Sequence, residues 1–246
     1  MTWDGVHEAP GVHSALLPHE VFHSLFQHRE LFDYLMVGDA GDLEAFWNHA
    51  SSSEWFKAHP VLELQTSPTN CIPLGFYGDD AGVFNNEKVL MLLWGGVIKN
   101  HETLFSRIVF TAVQYSRVVP EKTLDEIYEV FVWSMTWLAI GEFPPVDHKG
   151  RAFDDDYYPD RARLAGQRLA GSFVGVVSEM RGDWKYLAEA LKLQSHYNKQ
   201  SCCHLCKAHK TISRLMYTQF DRTCRLRNTL VTMQRFLLNQ IGHGAI

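Results

Sequence analysis

The sequence predicts a mixed α+β protein, in which a mixed sheet is flanked by helices, and three observations carry that prediction. Three strand-like segments follow one another at 71–80, 88–98 and 107–119; the second is the continuous apolar run KVLMLLWGGVI, and the third is rich in β-branched and aromatic residues. Apolar residues at intervals of three and four then predict a helix over 121–141. The apolar run SFVGVVSEM at 172–180 is typical of a fourth, buried strand.

The remaining elements are predicted to be helical. Helical spacing or composition indicates helices at 18–36, 42–48, 162–171, 184–193 and 224–242. A Ser-, Pro- and Thr-rich stretch at 51–70 is typical of a connector. We therefore predict three regions: a helical N-terminal segment (1–66), a sheet-containing core (67–195) and a Cys/His-rich region with a basic C-terminal helix (196–246).

Composition and charge restrict the functional classes. With 246 residues, 46% hydrophobic and 21% charged, the chain can bury a sizeable core. Residues 1–180 carry 12 Lys and Arg against 25 Asp and Glu, whereas residues 181–246 carry 11 against 3. DNA is therefore a possible partner through the basic C-terminal segment, although a solvated basic helix face explains the same charges. The acidic remainder argues against a nucleic-acid surface over the whole protein.

The sequence predicts a nuclear or cytoplasmic protein that has no membrane partner. We find no signal peptide at the N-terminus and no apolar stretch long enough for a transmembrane segment. The chain has five cysteines, an odd count, and four of them lie between positions 202 and 224. In a reducing compartment such clustering favours metal binding over disulfides.

Two aspartates are the candidate catalytic residues. Asp79, or its neighbour Asp80, follows the first core strand, and Asp183 follows the fourth. The order strand, strand, strand, helix, strand is that of the ribonuclease H-like fold, in which the first and fourth strands are neighbours. Two carboxylates brought together in this way can hold Mg²⁺ or Mn²⁺ for chemistry on a phosphodiester. The alternative is that Gly-Asp pairs make turns and caps, with Asp183 capping the helix that begins at Trp184.

The cysteine cluster is the candidate metal centre. Cys203 and Cys206 form a C-x-x-C pair, whose turn allows two thiolates to bind one tetrahedral Zn²⁺. His209 is the expected third ligand, and Cys224 or His196 completes the set. A redox-active pair and chance clustering are the alternatives. If the zinc is structural, its loss should unfold the basic tail locally.

Four segments in a fixed order resemble a known family. They are IPLGFYGDDAG (72–82), KVLMLLWGG (88–96), RARLAGQRLAGSFVGVVSEMRGDWKYL (161–187) and CCHLCKAHK (202–210). This succession resembles the catalytic region of Plavaka/KDZ-like DDE transposases. The resemblance implies a ribonuclease H-like fold with Asp79 and Asp183 as the first two catalytic acids. It also implies that Cys203 and Cys206 are zinc ligands of a small insertion.

One feature of the family pattern is missing. The resemblance implies a third acid, usually a Glu on a helix well after the zinc insertion, but Glu189 and Asp221 are the only acids that follow Asp183. Enzymatic activity therefore stays open, and we expect a truncated, decayed or repurposed copy that is catalytically inactive as this chain. The alternatives are a non-catalytic zinc-knuckle module that binds nucleic acid or a protein, and an inactive remnant.

Overall fold

The computed structural model describes residues 2–3, 8–9, 13–57, 59, 62, 66–82, 87–98, 106–119, 122–193, 199–203, 205–218, 221 and 225–231. The chain forms two compact units, Met1–Arg181 and Gly182–Ile246. The first unit contains nearly all of the regular secondary structure. The boundaries of the three regions predicted from the sequence stay a prediction.

A mixed four-stranded sheet organises the first unit. Its strands are β3 (Cys71–Gly82), β4 (Lys88–Gly96), β5 (Ile108–Gln114) and β6 (Val174–Gly182), and a separate antiparallel pair is formed by β1 (Thr2–Trp3) and β2 (Glu8–Ala9). The strand order in the sheet is β5-β4-β3-β6, and β4 is antiparallel to both of its neighbours. The sheet is mixed, so β6 runs parallel to β3. The four predicted core strands are therefore confirmed.

The prediction of one helix over 18–36 is wrong: it is broken after Gln27, because His28 leaves the helical conformation (φ −109°, ψ 74°). Several helices lie in the described ranges. They are α1 (Pro18–Gln27), α2 (Arg29–Phe32), α3 (Asp42–Ala50), α4 (Glu54–Lys57), α5 (Thr123–Ile140), α6 (Pro159–Leu164) and α7 (Trp184–Ala190). A π-helical turn, Asp33–Val37, follows α2. Short 3₁₀ turns lie at Pro68–Asn70, Tyr115–Arg117, Ser213–Leu215 and Arg225–Thr229.

Helix α5 supplies the core of the first unit, because its apolar stripe packs on the sheet. The Phe131 ring lies 4.1 Å from the ring of Phe76 on β3 and 5.1 Å from that of Phe110 on β5. Leu138 is fully buried, and Gly175 on β6 leaves the space that its side chain fills. Each of these aromatic contacts stabilises the fold by about 1 kcal/mol, in addition to the free energy gained by burying the rings. This stripe was predicted from its spacing and is confirmed.

One other predicted helix is shorter than expected, and another is described only in part. The segment 162–171 is helical only to Leu164, because Gly166 and Gly171 have φ values of 72° and 60° and turn the chain out of the helix. For 224–242, the described part forms a 3₁₀ turn at Arg225–Thr229, and positions 232–242 and Cys224 lie outside the described residues. Apolar spacing alone could not reveal that α6 ends at Leu164.

No helix in the described ranges is both long enough and apolar enough to cross a lipid bilayer.

Candidate functional site

Asp79 lies near the end of β3, on the sheet face opposite to α5. Side chains alternate along a strand, so Phe76 packs on α5 while Tyr77 and Asp79 project to the other face. The Tyr77 hydroxyl donates to Asp79 Oδ2 at 2.9 Å, and the Asp80 amide donates to Oδ1 at 2.8 Å. Each oxygen thus accepts one bond and keeps a lone pair for a cation.

Asp80 is the weaker of the two neighbouring candidates. Its Oδ2 accepts from Lys88 Nζ at 2.6 Å across the β3–β4 ladder, and this places the carboxylate in an ion pair. A cation would have to compete with that ammonium group. Of the two adjacent acids, Asp79 is therefore the one that the contacts leave better suited to bind a metal.

Tyr77 links Asp79 to a cationic group. Burial raises the pKa of Tyr77, and the hydrogen bond to Asp79 and the charge of that carboxylate raise it further, while Arg107 opposes the shift. The phenol therefore stays protonated and continues to donate to Asp79. The guanidinium carbon of Arg107 lies 3.9 Å from the centroid of the Tyr77 ring.

Asp183 caps a helix. It directly precedes α7, is exposed, and its Oδ1 accepts from the Tyr186 amide at 2.6 Å. The capping role that the sequence offered as the alternative is thus confirmed. The cap uses one carboxylate oxygen, so the metal-binding role that the resemblance implies stays a prediction. Asp183 follows β6 by one residue, and β6 is the neighbour of β3 in the sheet.

The donor set for a divalent metal is small. In the part of the chain that the structure describes, no three His, Cys, Asp or Glu side chains are grouped so that they could hold a metal ion. Asp79 and Asp183 offer hard carboxylate oxygens, which are the ligand type that Mg²⁺ and Mn²⁺ prefer. Two carboxylates are too few for a two-metal site.

The C-x-x-C pair lies at the tip of a hairpin in the second unit. The Cys202 amide donates to the Ala208 carbonyl at 3.2 Å, and the Lys210 amide donates to Gln200 at 2.9 Å. Ser201 and His209 form an antiparallel bridge between these two bonds. Residues 200–210, which we call the cysteine hairpin, therefore hold Cys203 and Cys206 in one tight turn.

Both sulfurs in this turn accept backbone hydrogen bonds. The Leu205 amide donates to Cys203 Sγ at 3.3 Å, and the Ala208 amide donates to Cys206 Sγ. Bonds of this kind favour the thiolate, which is the form that binds a metal. Burial nonetheless raises the pKa of Cys206, and the adjacent Cys203 raises it further, so zinc would have to displace protons from the pair.

The other proposed zinc ligands are less well placed. His209 Nδ1 accepts from the Thr211 amide at 3.2 Å, so in a neutral ring the proton is on Nε2. Ligation through either nitrogen therefore requires a change at this histidine. Cys224 and His196 lie outside the described residues. Thus the structure places Cys203 and Cys206 together, and a set of four ligands stays a prediction.

A cavity of about 260 Å³ opens on the sheet face that carries Asp79. Its charged and aromatic lining consists of Tyr77, Trp94, Arg107, Glu179 and Arg181. These residues share no sequence motif, because they come from segments that are far apart in the chain: β3, β4, the residue before β5, and β6. The only signal in the sequence was the Glu179-Met180-Arg181 alternation near the end of β6, which places the two charged side chains on one face of the strand.

A larger cleft, of about 560 Å³, lies between α5 and the segment 147–161. The charged groups at its rim pair with one another: Glu129 with Lys149, Asp147 with Arg151, and Arg161 with Glu20. A cleft whose charges are already paired gives no indication of the charge of a ligand.

Comparison with known proteins gives no relative. No protein-family model matches this chain, and no curated protein and no solved structure matches it.

Proposed function

We propose that this chain is a transposase-derived protein whose sheet is a ribonuclease H-like core. In this proposal the core carries an incomplete metal-dependent site for DNA strand transfer or cleavage and is catalytically inactive as this chain. The strand order β5-β4-β3-β6 is the observation that carries the proposal. In chain order, β3, β4 and β5 form an antiparallel meander, α5 follows them, and β6 then lies beside β3.

The strand order matters because it makes two distant parts of the sequence neighbours. β3 carries Asp79, and Asp183 directly follows the last residue of β6. The two strands are adjacent in the sheet, although β3 ends at Gly82 and β6 begins only at Val174. A core of the ribonuclease H type needs this adjacency to assemble carboxylates from its first and fourth strands. The resemblance of the sequence to Plavaka/KDZ-like transposases supports the same assignment.

In this proposal the two aspartates bind a metal ion but do not support turnover. Asp79 and Asp183 would hold Mg²⁺ or Mn²⁺, which supplies positive charge next to a phosphodiester. Tyr77 orients the Asp79 carboxylate through its hydroxyl, and Arg107 holds the Tyr77 ring. With two carboxylates we expect weak binding, and we expect no cleavage of DNA.

The proposal predicts that Mn²⁺ binding depends on both aspartates. We expect Asp79→Asn and Asp183→Asn each to weaken Mn²⁺ binding at least about tenfold, since each removes an anionic ligand. Free Mn²⁺ measured by electron paramagnetic resonance reports the affinity. Asp160→Asn is the control, because this carboxylate is exposed and pairs with Arg163 on α6.

Two outcomes would count against this proposal. Equal Mn²⁺ affinity in the wild type and in both single variants would show that the two aspartates do not form a metal site. Cleavage of duplex DNA by the wild type with Mn²⁺, abolished by Asp183→Ala, would show that the chain is an active enzyme.

A second candidate function is a non-catalytic zinc-knuckle module that binds nucleic acid or a protein. The cysteine hairpin favours it, because backbone amides donate to the sulfurs of both Cys203 and Cys206. The segment 229–231 is attached to this hairpin: the Val231 amide donates to Leu205 O at 2.8 Å, and the Lys207 amide donates to Thr229 Oγ1 at 3.1 Å. A metal at the tip would therefore stabilise the basic second unit.

We expect one equivalent of zinc in the purified chain and less than about one tenth of that in the double variant Cys203→Ser/Cys206→Ser. Inductively coupled plasma mass spectrometry gives the zinc content. Cys202→Ser is the matched control: Cys202 is buried beside the pair and its Sγ contacts Ala208 O, a bond that a serine hydroxyl can also make. Undiminished zinc in the double variant would contradict a thiolate site.

A further inference from the structure

We propose that Arg107 and Arg181 form a phosphate-binding site for nucleic acid on the sheet face that carries Asp79. This inference deepens the proposed function, on which it rests, by naming the residues that would hold the DNA backbone beside the core. It concerns the first unit, whereas the sequence assigned DNA to the basic C-terminal segment.

The two arginines come from the ends of two different strands. Arg107 immediately precedes β5, and its guanidinium lies over the Tyr77 ring; Arg181 is the penultimate residue of β6. Both line the 260 Å³ cavity together with Tyr77. Because β3 and β4 lie between β5 and β6, only the folded sheet assembles this pair.

Two glycines on adjacent strands form part of the cavity lining, at positions where a larger residue would not fit. Gly75 on β3 and Gly95 on β4 are direct partners in the ladder, and both line the cavity. A Cβ atom at Gly95 would lie 2.1 Å from the Ser106 carbonyl oxygen, and one at Gly75 would lie 3.0 Å from Glu179 Oε1. The glycines therefore let Ser106 and the side chains of Glu179 and Val97 lie close to the sheet, and the cavity that remains is lined by both arginines.

The charge at the cavity opposes that of its surroundings. Residues 1–180 carry an excess of 13 acidic side chains, which repels a polyanion from most of this unit. Inside the cavity two guanidinium groups face one carboxylate, Glu179, whose Oε1 lies 2.5 Å from Arg181 Nη2. The cavity is thus locally positive, and the Arg181 side chain is 53% exposed.

Guanidinium geometry favours a phosphate as the ligand. Each guanidinium presents several N–H donors in one plane, which match two oxygens of a phosphate. Arg107 is held by Tyr77, so it loses little freedom on binding. An inorganic phosphate ion shares this chemistry, and the experiment below separates it from a nucleic-acid backbone.

The test measures how salt weakens binding of a fluorescein-labelled DNA duplex to the full-length chain. Each phosphate contact contributes about 0.9 to the slope of log K against log salt concentration. We expect the double variant Arg107→Gln/Arg181→Gln to lower the magnitude of this slope by about 1.8. Arg151→Gln/Arg163→Gln is the control, with the same charge change at exposed residues outside the cavity; we expect only a small, uniform change there. Fluorescence anisotropy over about 50–200 mM salt reports the slope.

The variant Glu179→Gln provides an independent experiment, in which the expected result is a gain of DNA affinity and not a loss. Removing this carboxylate frees Arg181 and should raise DNA affinity about fivefold. Glu142→Gln, which removes an equal charge beside Arg168 outside the cavity, should raise it less. A variant that binds more tightly must be folded, so a misfolded arginine variant cannot decide the outcome.

The results separate this inference from the proposed function. Equal slopes in the two double-arginine variants, no DNA binding by the wild type at about 50 mM salt, or no gain in Glu179→Gln would each overturn the phosphate site. Displacement of the duplex by inorganic phosphate at an equal concentration of phosphate groups would also overturn it, because it would indicate an ion site. Mn²⁺ binding through Asp79 is measured without DNA, so either proposal can fail while the other stands.

Discussion

Gly95→Ala is expected to lower the free energy of unfolding of the first unit by about 3 kcal/mol. The added Cβ would lie 2.1 Å from the Ser106 carbonyl oxygen, which belongs to the backbone and cannot rotate away. β4 is an inner strand, hydrogen-bonded to β3 and β5, so it cannot shift without disturbing two ladders. Urea unfolding followed by tryptophan fluorescence measures the loss.

Two other glycines in the same sheet extend the prediction to an order of stability losses. Gly82 ends β3, and none of the described atoms lies within 4 Å of a Cβ added there, so Gly82→Ala should change stability by less than about 0.5 kcal/mol. Gly75→Ala should be intermediate, since its Cβ would meet the side chains of Glu179 and Val97, which can move. Unfolding midpoints that do not follow the order Gly82, Gly75, Gly95 would refute this account of β4.

His19 is expected to make the fold sensitive to acid. It is 1% exposed, its Nδ1 lies 2.8 Å from Ser134 Oγ on α5, and its ring contacts Trp133 edge to face. Burial, together with the positive charge of Arg161, lowers its pKa from 6.5 to about 3. Below pH 6.5 the unfolded chain therefore binds a proton that the folded chain excludes.

The sign and size of the effect follow from that difference. Each pH unit between the unfolded and the folded pKa removes about 1.4 kcal/mol, so acidification from pH 6.5 to about 3 removes on the order of 5 kcal/mol. Well above pH 6.5 His19 is uncharged in both states and contributes no pH dependence. We expect stability that is steady above pH 7 and falls below pH 6.5, measured by urea unfolding at several pH values.

His19→Asn isolates this term from the acid titration of the carboxylates. Asparagine keeps a polar group near the position of Nδ1, where it can bond Ser134, but it does not titrate. The variant should lose less stability than the wild type between pH 6.5 and 4, even if it is less stable at pH 7. His49→Asn, at the last turn of α3, is an exposed histidine that serves as the control. An identical acid slope in the wild type and His19→Asn would show that His19 becomes protonated while folded.

The regular elements of the core could be predicted from the sequence because they depend on local spacing. The alternation and apolar runs of β3 to β6 and the stripe of α5 placed these elements within a few residues of their observed bounds. The end of α6 could not be predicted in the same way. Gly166 and Gly171 adopt left-handed conformations there, and the Phe143 amide donates to Gln167 O from a distant segment.

The candidate sites were predictable to different degrees. The Cys203–Cys206 pair is a local motif, and the structure places it in one turn with backbone bonds to both sulfurs. Both aspartates were predicted to follow strands, but Asp79 lies within β3 and only Asp183 follows its strand. The cap that Asp183 makes to Tyr186 was one of two open alternatives. The meeting of Arg107 with Tyr77 was not foreseen, because the two residues share no motif.

By itself the sequence determined the α+β class, the order of the four core strands along the chain, and the charge difference between the two ends. Those properties follow from composition and from the contacts that a residue makes with its close neighbours in the chain. The tertiary structure decided that β6 lies beside β3, that Asp79 shares a face with Tyr77, and that two arginines line one cavity. The reason is that packing α5 against one face of the sheet determines which distant strands become neighbours and which side chains are left to meet on the other face.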